Sequence, residues 1–164
     1  MITGEVEAEL KGHTDWVTCV AFLGDGRQVI SGSSKKTVRI WNVMTGKVEA
    51  ELKGHTKWVR SVAFSQDSTQ VVSGLDNETA QIWNVTTGKL VAELKAHIGW
   101  VRSVAFSQDS SQVASGSDDQ TIQIWNATTG EVVAELKGHT NSMQSVAFSQ
   151  DGSQVISGSS DKTV

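Results

Sequence analysis

The chain has 164 residues, a net charge of −4 and no proline. That length supports one domain with its own core, and the negative charge gives no attraction for nucleic acid or an anionic membrane. No apolar run nears membrane-spanning length, the N-terminus lacks signal-peptide character, and the single cysteine, Cys19, forms no intrachain disulfide; a soluble, cytoplasmic protein is expected.

In chain order, the first expected element is a strand over Glu5–Leu10. Four short strands follow, about Trp16–Phe22, Gln28–Gly32, Thr37–Val43 and Val48–Leu52. Turn chemistry separates them at Gly24-Asp25-Gly26, Ser33-Ser34-Lys35-Lys36 and Thr45-Gly46. In the third strand Val38, Ile40 and Asn42 alternate with Arg39 and Trp41, the period of two of a strand.

The unit then recurs. Gly12-His13 returns as Gly54-His55, Ala96-His97 and Gly138-His139, and Trp41-Asn42 as Trp83-Asn84 and Trp125-Asn126, always at a step of 42 residues. The chain divides into a leading strand (1–12), three full units (13–54, 55–96, 97–138) and a partial fourth (139–164). Four strands of this length cannot cover both faces of their sheet alone. Stacking unit on unit does so.

Gly-His near one end of a 42-residue period and Trp-Asn near the other resemble the WD-repeat family, whose usual Trp-Asp is Trp-Asn in all three full copies. The resemblance covers essentially the whole chain and extends to the repeat arrays of NACHT-type signalling proteins. It implies an all-β propeller of four-stranded antiparallel blades around a central channel, the first strand innermost and the fourth outermost.

The resemblance also implies a hydrogen-bonded chain in each blade, running from His through Ser and Trp to a turn Asp. The third unit has all four members, His97, Ser115, Asp119 and Trp125. The first has His13, Ser31 and Trp41 with Lys35 at the Asp place, and the second has His55, Ser73 and Trp83 with Asn77 there. The fourth has His139, Ser157 and Asp161. These polar groups are expected to satisfy one another in the blade interior. The histidines lie one period apart, and no two stand three to five residues apart; neither a catalytic triad nor a metal site is expected, and no cofactor. Cys19, in the alternating part of the first strand, is expected to be a buried apolar residue.

Family propellers bind partners at three places per blade around the channel entrance. Read onto this chain, the places are Trp16, Thr18 and Ser34; Trp58, Arg60 and Asp76; Trp100, Arg102 and Asp118; and Ser142, Gln144 and Ser160. In an alternating strand the tryptophans face away from Val17, Val59 and Val101. Trp and Arg dominate binding hot spots, and Arg60 and Arg102 are expected to fork onto a carboxylate or stack on the indoles. The bland alternative is that the indoles pack on the next blade. The implied function is a non-enzymatic scaffold for a protein or peptide.

Closure stays open, since propellers take about 4–8 blades. Two chains joined as a homodimeric eight-bladed ring, a fragment of a longer array such as the recognition domain of a signalling NTPase, and a self-closed four-bladed ring are the alternatives; in the first, self-assembly is itself the function.

Overall fold

The computed structural model describes Val6 and residues 8–164. Strands β1 (Val17–Phe22), β2 (Gln28–Ser33), β3 (Val38–Asn42) and β4 (Val48–Leu52) pair in that order as an antiparallel sheet, the first blade. Blade two consists of β5 (Val59–Phe64), β6 (Gln70–Leu75), β7 (Thr79–Asn84) and β8 (Leu90–Lys95). Blade three consists of β9 (Val101–Phe106), β10 (Gln112–Ser117), β11 (Ile122–Asn126) and β12 (Val132–Leu136). The fourth sheet has two strands, β13 (Met143–Phe148) and β14 (Val155–Ser159). The strand expected over Glu5–Leu10 includes Glu5 and Glu7, which lie outside the described residues; Val6 and residues 8–10 belong to no strand. No helix long and apolar enough to cross a membrane occurs among the described residues.

The Trp-Asn dipeptide explains the turn after each third strand. The Asn42 and Asn84 side-chain oxygens accept the Thr45 and Thr87 amides at 2.9 and 2.8 Å, and Asn126 accepts Thr129 at 2.9 Å. An amide oxygen holds this turn as a carboxylate would. Gly46, Gly88 and Gly130 follow with φ of 67, 66 and 73°, the left-handed conformation that glycine adopts without strain.

The innermost strands depart from simple alternation. Between β5 and β6, Val59 faces Leu75 and Ser61 faces Gly74, so Arg60 is an extra residue with no partner opposite. The same bulge holds Thr18, Arg102 and Gln144. A bulge bends its strand and re-aims one side chain. Its consequence is that Val59 and Val62, three apart, are both buried.

The core lies between blades. Val38, Ile40 and Leu52 of the first blade pack with Val59, Val62 and Leu75 of the second. Ile82 and Leu94 meet Val101, Val104 and Trp125; Ile122 and Ile124 meet Met143 and Val146. Glycine in each second strand permits this approach: a Cβ on Gly74 would stand 2.8 Å from Val101 Cγ1, and one on Gly116 2.8 Å from Val146 Cγ1. Among the described residues, the two outer faces of the stack have no such neighbour. Val20 is 66 % exposed where its counterpart Val62 is 7 %, and Ile156 is 58 % exposed where Val72 is fully buried.

Candidate functional site

Blade three carries the full polar chain. Trp125 Nε1 donates to Ser115 Oγ at 2.7 Å, Ser115 Oγ lies 2.8 Å from His97 Nε2, and His97 Nδ1 lies 2.8 Å from Asp119 Oδ2. With Nδ1 protonated, every donor in the row has an acceptor. Burial works to raise the Asp119 pKa, but hydrogen bonds from Thr121 and the Ile98 amide outweigh it and hold the carboxyl below its ordinary value. Blade four repeats the row through His139, with Ser157 at 3.0 Å and Asp161 at 2.8 Å.

Blades one and two keep the Trp–Ser–His part. Ser31 stands 2.6 Å from His13 Nε2 and accepts from Trp41 at 2.7 Å; Ser73 stands 2.9 Å from His55 Nε2 and accepts from Trp83 at 3.2 Å. Their Nδ1 ends differ. His13 meets the Thr37 hydroxyl at 3.4 Å, with Lys35 taking no part. His55 turns to the Leu52 carbonyl at 3.3 Å, while Asn77 Oδ1 is occupied by the Thr79 hydroxyl at 2.8 Å. Asn77 is thus a turn residue and no substitute for the acid. Burial without an acid pushes His55 down to about 4 and lowers His13 as well. One histidine per blade keeps the four apart, and no cluster of metal-ligating side chains occurs among the described residues.

The three places read onto each blade come together beside the bulge. The backbone amides of Ser34, Asp76, Asp118 and Ser160 donate to the carbonyls of Trp16, Trp58, Trp100 and Ser142 at 3.1, 3.1, 3.0 and 2.9 Å. On this frame the bulge residue meets its neighbour. Arg60 forks onto Asp76, with Nη2 donating to Oδ2 at 2.8 Å and Nε to Oδ1. Arg102 forks onto Asp118 at 2.8 and 2.9 Å. In blade four Gln144 donates to Ser160 at 2.9 Å. Thr18 in blade one instead reaches the Gly32 carbonyl at 3.0 Å and the Val59 carbonyl across the seam.

The fork and the stack expected of the arginines both occur within the chain itself. Asp76 and Asp118 take the Nε and Nη2 edge of the Arg60 and Arg102 guanidinium groups, and the Trp100 indole packs across the blade boundary on Arg60. Arg60 lies 5.1 Å from the ring centres of both Trp58 and Trp100, and Arg102 lies 5.3 Å from Trp100. The result is an alternating stack, Trp58, Arg60, Trp100, Arg102, that crosses a blade boundary. The Arg102 hydrogen bonds hold Asp118 below its ordinary pKa, and Asp118 in turn raises Arg102. Both ions stay charged, and their charges cancel. The indoles remain accessible, Trp58 at 41 %, Trp100 at 42 % and Trp16 at 73 % exposure.

The pairing left a trace in the sequence. At the bulge and its partner place the four units read Thr18 with Ser34, Arg60 with Asp76, Arg102 with Asp118, and Gln144 with Ser160. Charged stands with charged and neutral with neutral. The bulge itself was signalled by two successive polar residues, Arg60-Ser61, between valines.

The family WD40, described as "WD domain, G-beta repeat", matches four times, over residues 4–42, 46–84, 88–126 and 130–164. Among curated proteins, the nuclear distribution protein PAC1 of Candida dubliniensis is 47% identical over 36 residues, 22% of this chain and 7% of that protein. The nuclear distribution protein PAC1 of Candida tropicalis is 42% identical over 40 residues, 24% of this chain and 8% of that protein. These alignments span about one repeat and under a tenth of either relative. With four family matches end to end, radially stacked antiparallel sheets and the His–Ser–Trp rows, the chain belongs to the WD40 (WD domain, G-beta repeat) family.

Proposed function

We propose that the chain is a non-catalytic scaffold that captures an extended protein segment or peptide on the rim formed by Trp58, Arg60, Asp76, Trp100, Arg102 and Asp118, with Trp16, Thr18, Ser34, Ser142, Gln144 and Ser160 at its borders. One observation carries the reading. Two indoles and two guanidinium groups alternate in a single stack, held by carboxylates, at the start of the first strands of blades two and three. Rigid aromatic and arginine groups that stay accessible lose little entropy on binding. The setting proposed is the cytoplasm, in keeping with Cys19 as a free thiol.

The test is to select displayed random peptides on the wild-type chain and repeat the binding with Arg60 and Arg102 both changed to Ala. Capture should be lost. The thermal midpoint should fall only slightly, because partly exposed ion pairs contribute about 0.2–1 kcal/mol each. Unfolding that parallels the loss of binding would overturn the proposal.

A second reading, self-assembly, is favoured by the two uncovered faces. Val20 and Phe22 on one side and Ile156 and Gly158 on the other are the repeat counterparts of residues that meet within each seam. A second copy, or further blades of a longer array, would cover them by the contacts already used inside the chain. Sedimentation of the chain with and without Val20→Asp separates the cases: a dimer that this substitution dissociates supports the homodimeric ring, and a monomer rejects it.

A further inference from the structure

The indole–guanidinium stack is incomplete at both ends. Arg60 has an indole on either side, but Arg102 has only Trp100, because Ser142 stands at the repeat place that would supply the next indole. The Arg102 and Asp118 side chains are accordingly more exposed, 31 and 24 % against 23 and 12 % for Arg60 and Asp76. At the opposite end Trp58 stacks on Arg60 alone, because Thr18 stands where a guanidinium would come from. The backbone for the absent groups is in place, since the Ser160 amide bonds the Ser142 carbonyl and the Ser34 amide bonds the Trp16 carbonyl, as in the complete blades. Only side chains are missing.

We infer that these two gaps are the subsites of the rim: an extended peptide lays an aromatic side chain on the outer face of Arg102 and a lysine or arginine on the outer face of Trp58. The inference rests on the reading of this rim as the binding surface and adds the chemistry of what binds there. A carboxylate suits the Arg102 gap less well than a ring, because Asp118 already neutralises the guanidinium through Nε and Nη2 and a second anion would stand close to the first. An aromatic ring asks for the guanidinium face and leaves the fork undisturbed. The electron-rich face of Trp58 favours a cation by the same physics. The chain shows the geometry both guests would adopt, in Trp100 resting on Arg60 and Arg60 resting on Trp58.

The test fills each gap from within. Ser142→Trp supplies the missing indole, and Thr18→Arg with Ser34→Asp supplies the missing ion pair. Displayed random peptides selected on the wild-type chain should be enriched in an aromatic residue and a basic one. A synthesised winner should bind S142W about fivefold or more weakly, and lose a similar factor on T18R/S34D. Gln150→Trp, which places an indole on the exposed turn between β13 and β14 and leaves the gap open, should bind as wild type does, and the thermal midpoint of S142W should not fall. If the winners bind S142W and T18R/S34D as tightly as wild type yet lose binding to R60A/R102A, the gap assignment falls and the rim stands. If no peptide is recovered on the wild-type chain, both fall.

Discussion

Blades three and four share most of the residues of their first two strands and the same His–Asp distance of 2.8 Å, yet their surfaces differ sharply. Gly116 is pressed by Val146 and Met143, while Gly158, one period later, has nothing within 4 Å. Ala114 is fully buried, while Ile156 is 58 % exposed. Burial therefore belongs to the seam and not to the repeat. Each unit encodes half an interface on either face, and a half-interface without its complement stays at the surface however apolar it is. The polar rows behave differently, since their partners lie within one unit and they form with or without a neighbour.

The sharpest way to break this contrast is to remove side chains on either side of it. Met143 is fully buried in the seam between blades three and four. Met143→Ala should cost about 2–5 kcal/mol, the range for emptying a core site. Ile156→Ala, on the uncovered face, should change stability by less than about 0.5 kcal/mol. Urea unfolding followed by tryptophan fluorescence reads both, and equal costs would show that the exposed face is covered in solution.

Adding a methyl group probes the same seam from the other side. Gly116→Ala forces a Cβ to within 2.8 Å of Val146 Cγ1, and overpacking of that kind costs about 1–3 kcal/mol. Gly158→Ala meets no atom and should be neutral or slightly stabilising. A dimer that buries Gly158 reverses the second outcome, so the pair of glycines also reports on assembly.

Blade two sharpens the comparison through the acid it lacks. The pKa of His55 is lowered from 6.5 to about 4 by burial, so the unfolded chain binds a proton that the folded chain refuses. That contribution to stability is complete above the unfolded value, is lost as pH falls from 6.5 toward about 4, and is level below that. The expected loss is on the order of 3 kcal/mol. His13, also lowered by burial, adds to it with the same sign. Asn77→Asp copies blade three, where Asp119 accepts the Nδ1–H hydrogen bond of the imidazole. Urea midpoints at about pH 7 and about pH 4.5 should converge in N77D relative to wild type. An unchanged gap would mean that the acid in blade three does not support its histidine.

Much of this was legible in the sequence because the repeat states it four times. Strand positions came from Trp-Asn, Gly-His and the turn residues, and the stacked core from sheets too small to be buried alone. The bulge at Arg60 and Arg102 left only one mark, two successive polar residues between valines, because it changes hydrogen-bond register without changing composition. Strict alternation turns Val62 outward when Val59 points inward, whereas both are buried. The closing of Arg60 on Asp76 was missed for a related reason. The two lie 16 residues apart on different strands, and only the register brings them within 2.8 Å. Asn77 shows the limit of reading by position, since its oxygen serves the Thr79 hydroxyl and leaves His55 to a carbonyl.

The smallest expected effect concerns polar bonds within the seams. Ser61 Oγ accepts the Val104 amide at 3.2 Å, and Ser103 Oγ accepts the Val146 amide at 3.1 Å, each across a blade boundary. In the first seam the same repeat place is Cys19. Burial pushes that thiol up to about 11, so it stays protonated, and the crossing bond is made by the Thr18 hydroxyl to the Val59 carbonyl. Ser103→Ala leaves a seam amide without its partner and should cost about 1 kcal/mol. Cys19→Ser should recover a few tenths of that in the first seam, where an oxygen accepts better than sulfur. Amide exchange at Val146 is the direct measurement. If it is not accelerated in S103A, the serine bond is incidental and the seam is held by apolar contact alone, which would make any WD40 blade with valines at these places an acceptable neighbour.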